Sequence, residues 1–319
     1  MDALVKTVAG PLEFTDRSRP TIGPADVLVE TELCGICGSD LHIESGTHPC
    51  DPPVVIGHEF AGTVAERGDD VTHLEVGDRV GFRHSWNPFP GVDADGGFAE
   101  YMRAPAENVW TIPEELSFAE ATFFEPIRVP MTMVRETAEM DPGERVVVSG
   151  PGPMGLLTAN VASMDGAEHV TVLGTESDEE VRLPTAAELG ADETAVFGDE
   201  ALAAIAENPP SVWFETSGAA PAIEAAVEHV DSGGRVVCSG LGDGPWNVDM
   251  HRVAYDSLDI RGQWGGSDAT LEGAVPAMID GELNVSALVT DELPLSEWRT
   301  GFDRARSQDG IKILLAPGA

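Results

Sequence analysis

Lysine is almost missing from this chain. Of 18 cationic side chains in 319 residues, only Lys6 and Lys312 are lysines. Acids number 56, so the formal charge is −38. That balance excludes nucleic acid as a partner, because phosphate binding needs clustered cations. The acids are spread through segments that otherwise carry a folded pattern, which argues against a disordered acidic tail. An evenly acidic shell repels itself in dilute buffer and is screened at about 1 M salt, where the Debye length is about 3 Å. The composition therefore points to a halophilic protein. Long apolar runs are also absent: none approaches the roughly 18 residues of a membrane span. The opening segment "MDALVKTVAGPLEF" lacks a charged region followed by an apolar core, so no secretory signal and a cytoplasmic location are expected. Cysteine is scarce too, with only Cys34, Cys37, Cys50 and Cys238. No disulfide framework is expected in that setting, which leaves metal binding or buried thiols.

What is present suffices for two domains, each with its own core. Up to about residue 127 the chain reads as short strands and turns. "ADVLVETELCGI", "PPVVIGHEFAGTVAERG" and "LEVGDRVGF" are β-rich runs broken by Gly and Asp. From about residue 142 strands alternate with helices. "GERVVVSG", "HVTVLG", "SVWFETSG" and "RVVCSGL" are strands. "PMGLLTANVASMDG", "EEVRLPTAAELGA" (with Pro184 near its start) and "APAIEAAVEHVDSGG" are helices. This alternation predicts an α/β fold with a doubly wound parallel sheet. The last 30 or so residues place a helix before a final strand and read as a return to the first domain.

"VVVSGPGPMG" sets Gly150, Gly152 and Gly155 in G-x-G-x-x-G spacing, directly after a strand and opening a helix. In that context the glycines allow a tight turn and close approach of a pyrophosphate, which the helix N-terminus then holds. Pro153 and Met154 complete the loop. The following strand should end in an acid that holds the ribose hydroxyls. Gly174 stands there instead, 22 residues past Gly152. Its lack of a carboxylate leans towards NADP, with Thr175, Ser177 and Arg182 as candidate partners of the 2′-phosphate. Glu176 can take the ribose role, so NAD is also accommodated.

"CGICGSDLH", residues 34–42, holds the single C-x-x-C pair. With no second pair, a structural zinc site built from two is excluded. "GICGSDLH", "GHEFAGTV", "VGDRV", "GGFAEY", "FFEPI" and "SGPGPMG" follow one another in order. Together they resemble the zinc-dependent medium-chain dehydrogenase/reductase family, in particular its sorbitol, threonine and glucose dehydrogenase branch, over nearly the whole chain. The resemblance implies a GroES-like β-rich catalytic domain, 1–127 with 287–319, and a Rossmann NAD(P)-binding domain, 128–286. It implies Cys37, His58 and a carboxylate, Glu125 or Glu59, as ligands of a catalytic zinc, with Asp40 orienting the histidine. Ser39 corresponds to the family's proton-relay hydroxyl and His42 to its relay histidine, and Glu59 is counted with the catalytic groups. For His42 a surface histidine is an equal reading. Many relatives carry a four-cysteine lobe with a second zinc. Here that stretch is only "GFRHSWNPFPGVDAD", so one zinc per chain is expected.

The activity implied is hydride transfer between a secondary alcohol and NAD(P). Trp86 and Trp264, with neighbouring polar groups, suit a hydroxylated small molecule such as a polyol, sugar or sugar acid. His84 in the shortened loop and Arg128, as a partner for a substrate carboxylate, are weaker candidates. An L-threonine 3-dehydrogenase is the competing activity, and a non-catalytic nucleotide-binding sensor the competing class. A homo-oligomer, dimer or tetramer, is expected.

Overall fold

The computed structural model describes every residue except 84–86 and 243. His84 and Trp86 therefore lie outside the described residues. The chain divides into two compact units, Met1–Pro126 with Val289–Ala319, and Ile127–Leu288.

The first unit is built on strands whose β-branched and aromatic residues fill one core. Its larger sheet runs Val289–Pro294, Lys312–Ala316, Asp26–Gly35, Glu59–Arg67, Arg79–Phe82, Val109–Thr111, with Tyr101–Pro105 also pairing to Asp26–Gly35. The long strand Asp26–Gly35 is the spine. Val27, Leu28, Val29 and Cys34 on it are buried, together with Phe60, Phe82 and Leu314 from its neighbours. Burial of such side chains contributes on the order of 1.5–3 kcal/mol each. A smaller sheet, Leu12–Asp16, Asp2–Lys6, Val54–Val55, packs in the same unit. Strand Lys312–Ala316 pairs antiparallel with the end of Asp26–Gly35, so the last strand of the chain meets the segment that carries Cys37.

The second unit holds six parallel strands in the order Glu193–Val196, His169–Gly174, Arg145–Ser149, Val212–Glu215, Arg235–Cys238, Asp259–Gly262. The first strand in sequence, Arg145–Ser149, lies in the middle, and the winding reverses between it and Val212–Glu215. That reversal opens a crevice at the carboxyl ends of the two strands, where ligands of such sheets bind. Helix Pro153–Met164 follows the central strand, with Pro153 in its first turn and Gly152 as its N-cap. Pro184 lies in the first turn of helix Arg182–Glu188, where its missing N–H costs nothing. Val147, Leu173, Trp213 and Val236 form the sheet's contribution to the core. Among the described residues no helix is long and apolar enough to cross a membrane.

Candidate functional site

His58 is presented by backbone packing. Gly57 has φ +91°, a conformation glycine adopts freely, and a Cβ there would fall 2.8 Å from Phe98. The shortened loop presses on the same turn: a Cβ on Gly96 would lie 2.1 Å from the Gly57 carbonyl. From that loop Phe89 sets its ring 5.7 Å from the His58 ring. Cys37 is the N-cap of helix Gly38–Ser45. Its N–H donates to Asp40 Oδ2 at 2.9 Å, and its Sγ accepts from the Asp40 N–H. Glu59 opens strand Glu59–Arg67 directly opposite Gly35.

These local structures bring a ligand atom from each of Cys37, His58 and Glu59 within 4.8 Å of one another. Tetrahedral zinc with ligand bonds of about 2.0–2.3 Å asks for that proximity. Among the described residues, the buried atoms His58 Nδ1, Ser39 Oγ and Asp40 Oδ1 have no hydrogen-bond partner. Buried polar atoms without partners are costly, so such a cluster is suited to a bound ion and its substrate. The electrostatics agree. Burial works against a charged His58, but Cys37, Asp40 and Glu125 outweigh it and hold its proton affinity well above the ordinary histidine value. Asp40 is pushed up to about 6, chiefly by burial, against the pull of His58 and the Cys37 N–H. The donor set is thus an anionic pocket that attracts a cation. Glu125 lies outside the three-residue group, although its charge reaches His58.

Lys312, not singled out from the sequence, completes this cluster. Its Nζ donates to Glu59 Oε1 at 2.8 Å, Glu59 Oε2 at 2.6 Å and the Ile36 carbonyl at 3.2 Å. It is 2% exposed. The signal was available: one of only two lysines, in the last strand. Ser39 and His42 lie three residues apart on one helix, Ser39 Oγ buried and His42 exposed with Nδ1 3.1 Å from Thr47 Oγ1. Cys34 is fully buried, and burial keeps its thiol protonated.

In the second unit, each glycine of the loop has its own reason. Gly150 has φ +96°, and a Cβ on it would fall 2.7 Å from Ser217 Cβ; on Gly155 it would lie 1.9 Å from the Gly150 carbonyl. Gly152 is different. Its φ is −73°, and no described atom lies within 4 Å of its would-be Cβ. Protein packing does not demand glycine at 152, whereas a ligand lying against the backbone does. The helix that begins at Pro153 has no side-chain cap, so no capping side chain takes up the N–H groups of Met154 and Gly155, the condition under which a helix start can hold an anion.

At the end of the next strand the structure alters the basis of the glycine reading. A Cβ on Gly174 would lie 3.0 Å from side-chain atoms of Asp178, Leu183 and Pro151, so a larger residue fits only if those neighbours give way, and tight packing is a second reason for glycine here. Arg182 is 8% exposed and turns inward, Nη1 3.6 Å from Asp178 Oδ1. Asp178 Oδ2 accepts from Thr175 N and Oγ1 at 2.7 and 2.8 Å. Thr175, Glu176 and Ser177 are the exposed groups here. Arg128, weighed as a carboxylate binder, is 2% exposed and pairs with Asp268 at 2.6 Å while donating to the Gly266 carbonyl. It straps its helix to the loop 262–267 and offsets a neighbouring acid.

Residues 23–114 match the alcohol dehydrogenase GroES-like domain family, and residues 153–280 the zinc-binding dehydrogenase family. The L-threonine 3-dehydrogenase of Streptomyces avermitilis is 33% identical, the match covering 99% of both chains. The sorbitol dehydrogenase of Gallus gallus is 32% identical over 98% of this chain and 95% of its own. A zinc-binding dehydrogenase of Sinorhizobium meliloti, solved with NADP, superposes with a TM-score of 0.91 at 26% identity, covering 99% of each chain.

Proposed function

The chain belongs to the zinc-dependent medium-chain dehydrogenases, and on that premise we propose that it moves a hydride between a polyol, sugar or sugar acid and NAD or NADP, with one zinc per chain. The observation that carries this reading is the meeting of Cys37, His58 and Glu59 within 4.8 Å, ringed by buried polar atoms without partners.

Cys37 and His58 would hold the ion, and a carboxylate, Glu59 or Glu125, would be the third protein ligand. Zinc bound there supplies a Lewis acid that lowers the pKa of an alcohol. Asp40 secures the Cys37 N–H and adds negative charge beside His58. Ser39 Oγ would accept the alcohol proton while releasing its own towards solvent, with His42, one turn on at the surface, as the group that receives it and passes it on. Lys312 fixes the Glu59 carboxylate by gripping both oxygens. In the second unit, Gly150, Gly152 and Gly155 with the N–H groups of Met154 and Gly155 hold the pyrophosphate. Thr175, Glu176 and Ser177 meet the adenosine ribose, and their hydroxyls accommodate NADP beside NAD. Exposed Met250 and Tyr255 on helix Met250–Tyr255, and Ile260 on the edge strand Asp259–Gly262, support self-association as a dimer or tetramer.

The test is metal analysis with cofactor reduction in molar salt, offering sorbitol, glucose, a 3-deoxy-sugar acid and threonine. One zinc per chain and turnover of a hydroxylated sugar compound are expected, and Cys37→Ser and His58→Ala should lose metal and turnover together. Full activity in either variant, or in metal-free protein, refutes the mechanism. The relatives named L-threonine 3-dehydrogenase favour a second reading, which turnover of threonine alone would establish.

A further inference from the structure

Glu215 ends the strand beside Arg145–Ser149, on the far lip of the crevice where the winding reverses. It is 0% exposed. No cationic side chain pairs with it among the described residues. Its oxygens are instead held chiefly by the turn that follows, with the Ser149 hydroxyl of the neighbouring strand as a further partner. Oε1 accepts from Ser217 N at 2.8 Å, Gly218 N at 3.1 Å and the Ser217 hydroxyl, and Oε2 accepts from Gly218 N at 3.0 Å.

That turn supports the glycine-rich loop. Thr216 Oγ1 donates to the Ser149 and Gly150 carbonyls at 2.9 and 2.8 Å. Ser217 fills the space beside Gly150 so closely that a Cβ there would fall 2.7 Å from Ser217 Cβ. On its other side the turn meets the end of strand Arg235–Cys238. A Cβ on Gly240 would lie 2.7 Å from Glu215 Oε2 and 2.1 Å from Gly218 N, and one on Gly242 would lie 1.9 Å from the Gly218 carbonyl. The Glu215 carbonyl accepts from Ser239 N and Gly240 N at 2.8 and 3.0 Å. One residue therefore ties together the crests of three adjacent strands.

We propose that Glu215 is a positioning residue for the dinucleotide: its carboxylate sets the turn 216–218, and that turn sets the glycine-rich loop at the height the pyrophosphate requires. A buried carboxylate without a cation is a costly way to fill a strand end, and an apolar side chain would serve packing alone. What only a carboxylate provides is two acceptor oxygens for donors that converge from one tight turn. Glutamine offers one oxygen and turns an N–H towards the Gly218 N–H. The inference rests on the nucleotide reading of the second unit, and the two fail differently.

The experiment titrates NADH and NADPH fluorescence into the zinc-loaded protein and its Glu215→Gln variant, with kinetics, bound zinc and circular dichroism in parallel. The wild type should bind nucleotide. The variant should bind it about tenfold more weakly, the scale of one lost charge-assisted hydrogen bond, with alcohol KM and zinc content unchanged. Should Glu215→Gln not fold, Ser217→Ala, which removes one donor to the carboxylate, should weaken nucleotide binding alone by about threefold. Unchanged nucleotide affinity in a folded variant overturns the proposal, as does an equal loss of zinc and alcohol affinity. Failure of the wild type to bind either nucleotide overturns the nucleotide reading itself.

Discussion

Gly35 and Glu59 face each other across paired strands, and the fit between them leaves no spare volume. A Cβ on Gly35 would lie 2.2 Å from Glu59 Oε2. The glycine is needed for what stands opposite, since its backbone is ordinary strand. Gly35→Ala should push the carboxylate off Lys312 and out of the cluster with Cys37 and His58. We expect a loss of about 1–3 kcal/mol in stability, typical of overpacking, and zinc retention after dialysis well below that of the wild type. Denaturant melts and metal analysis check both; a variant that keeps its zinc would show that Glu59 can move without consequence. At this scale the sequence is informative where residue type is chemically restrictive. Cys37 and His58 stand out because few neighbours share their chemistry. Lys312 carried a signal in its rarity, but its partner and the role of Gly35 depend on which strands pair, and the pairing of the last strand with Asp26–Gly35 spans almost the whole chain.

Among elements, the helical stretch after Ile127 ends in an unusual way. Helix Arg128–Thr132 runs on into a π turn, Met133–Thr137, and its terminal carbonyls are met by arginines from two strands of the sheet. Arg235 Nη1 donates to the Ala138 and Glu139 carbonyls at 2.7 and 2.9 Å, Arg261 donates to Thr137, and Glu144 anchors Arg235 from the side. Cations at a helix C-terminus satisfy orphan carbonyls and the dipole together. Burial disfavours the Glu144 carboxylate, but the Asp141 N–H, the Ser211 hydroxyl and Arg235 outweigh it and hold its pKa below the ordinary glutamate value. A pKa depressed by folding stabilises the protein above the unfolded value and ceases to do so as pH falls through the folded one. Glu144→Gln should therefore cost about 1 kcal/mol at pH 7, and the gap should close as the pH of the melts falls below the ordinary glutamate value and through the lowered folded one. A gap independent of pH would assign the loss to packing.

The alternation of strand and helix was readable at this level because buried parallel strands are continuous apolar runs, as in "RVVVS" and "HVTVLG". Strands Glu193–Val196 and Asp259–Gly262 escaped because they lie at the sheet's edges and are partly exposed, so their residues need not be apolar. The π turn has no sequence signature, since its carbonyls are satisfied by arginines roughly 100 residues away in sequence.

Across the whole molecule the dominant fact is charge. With a net −38, repulsion among surface carboxylates opposes the compact state wherever screening is weak. The melting temperature should rise by on the order of 10 °C between 0.1 and 2 M KCl. A flat or falling curve would remove the halophilic reading.

Both lysines are interior. Lys6, 6% exposed, donates to the Glu44 carbonyl at 2.9 Å, and Lys312 is locked on Glu59. The folded surface thus offers acylating reagents little of either lysine, and least of Lys312. Conjugation through amines will stop at the Met1 terminus, which is itself tied to Asp16 at 2.8 Å. An adduct on Lys312 needs its amine released from Glu59 and the Ile36 carbonyl, so its rate of appearance is a clock for the opening of the cluster that Glu59 forms with Cys37 and His58.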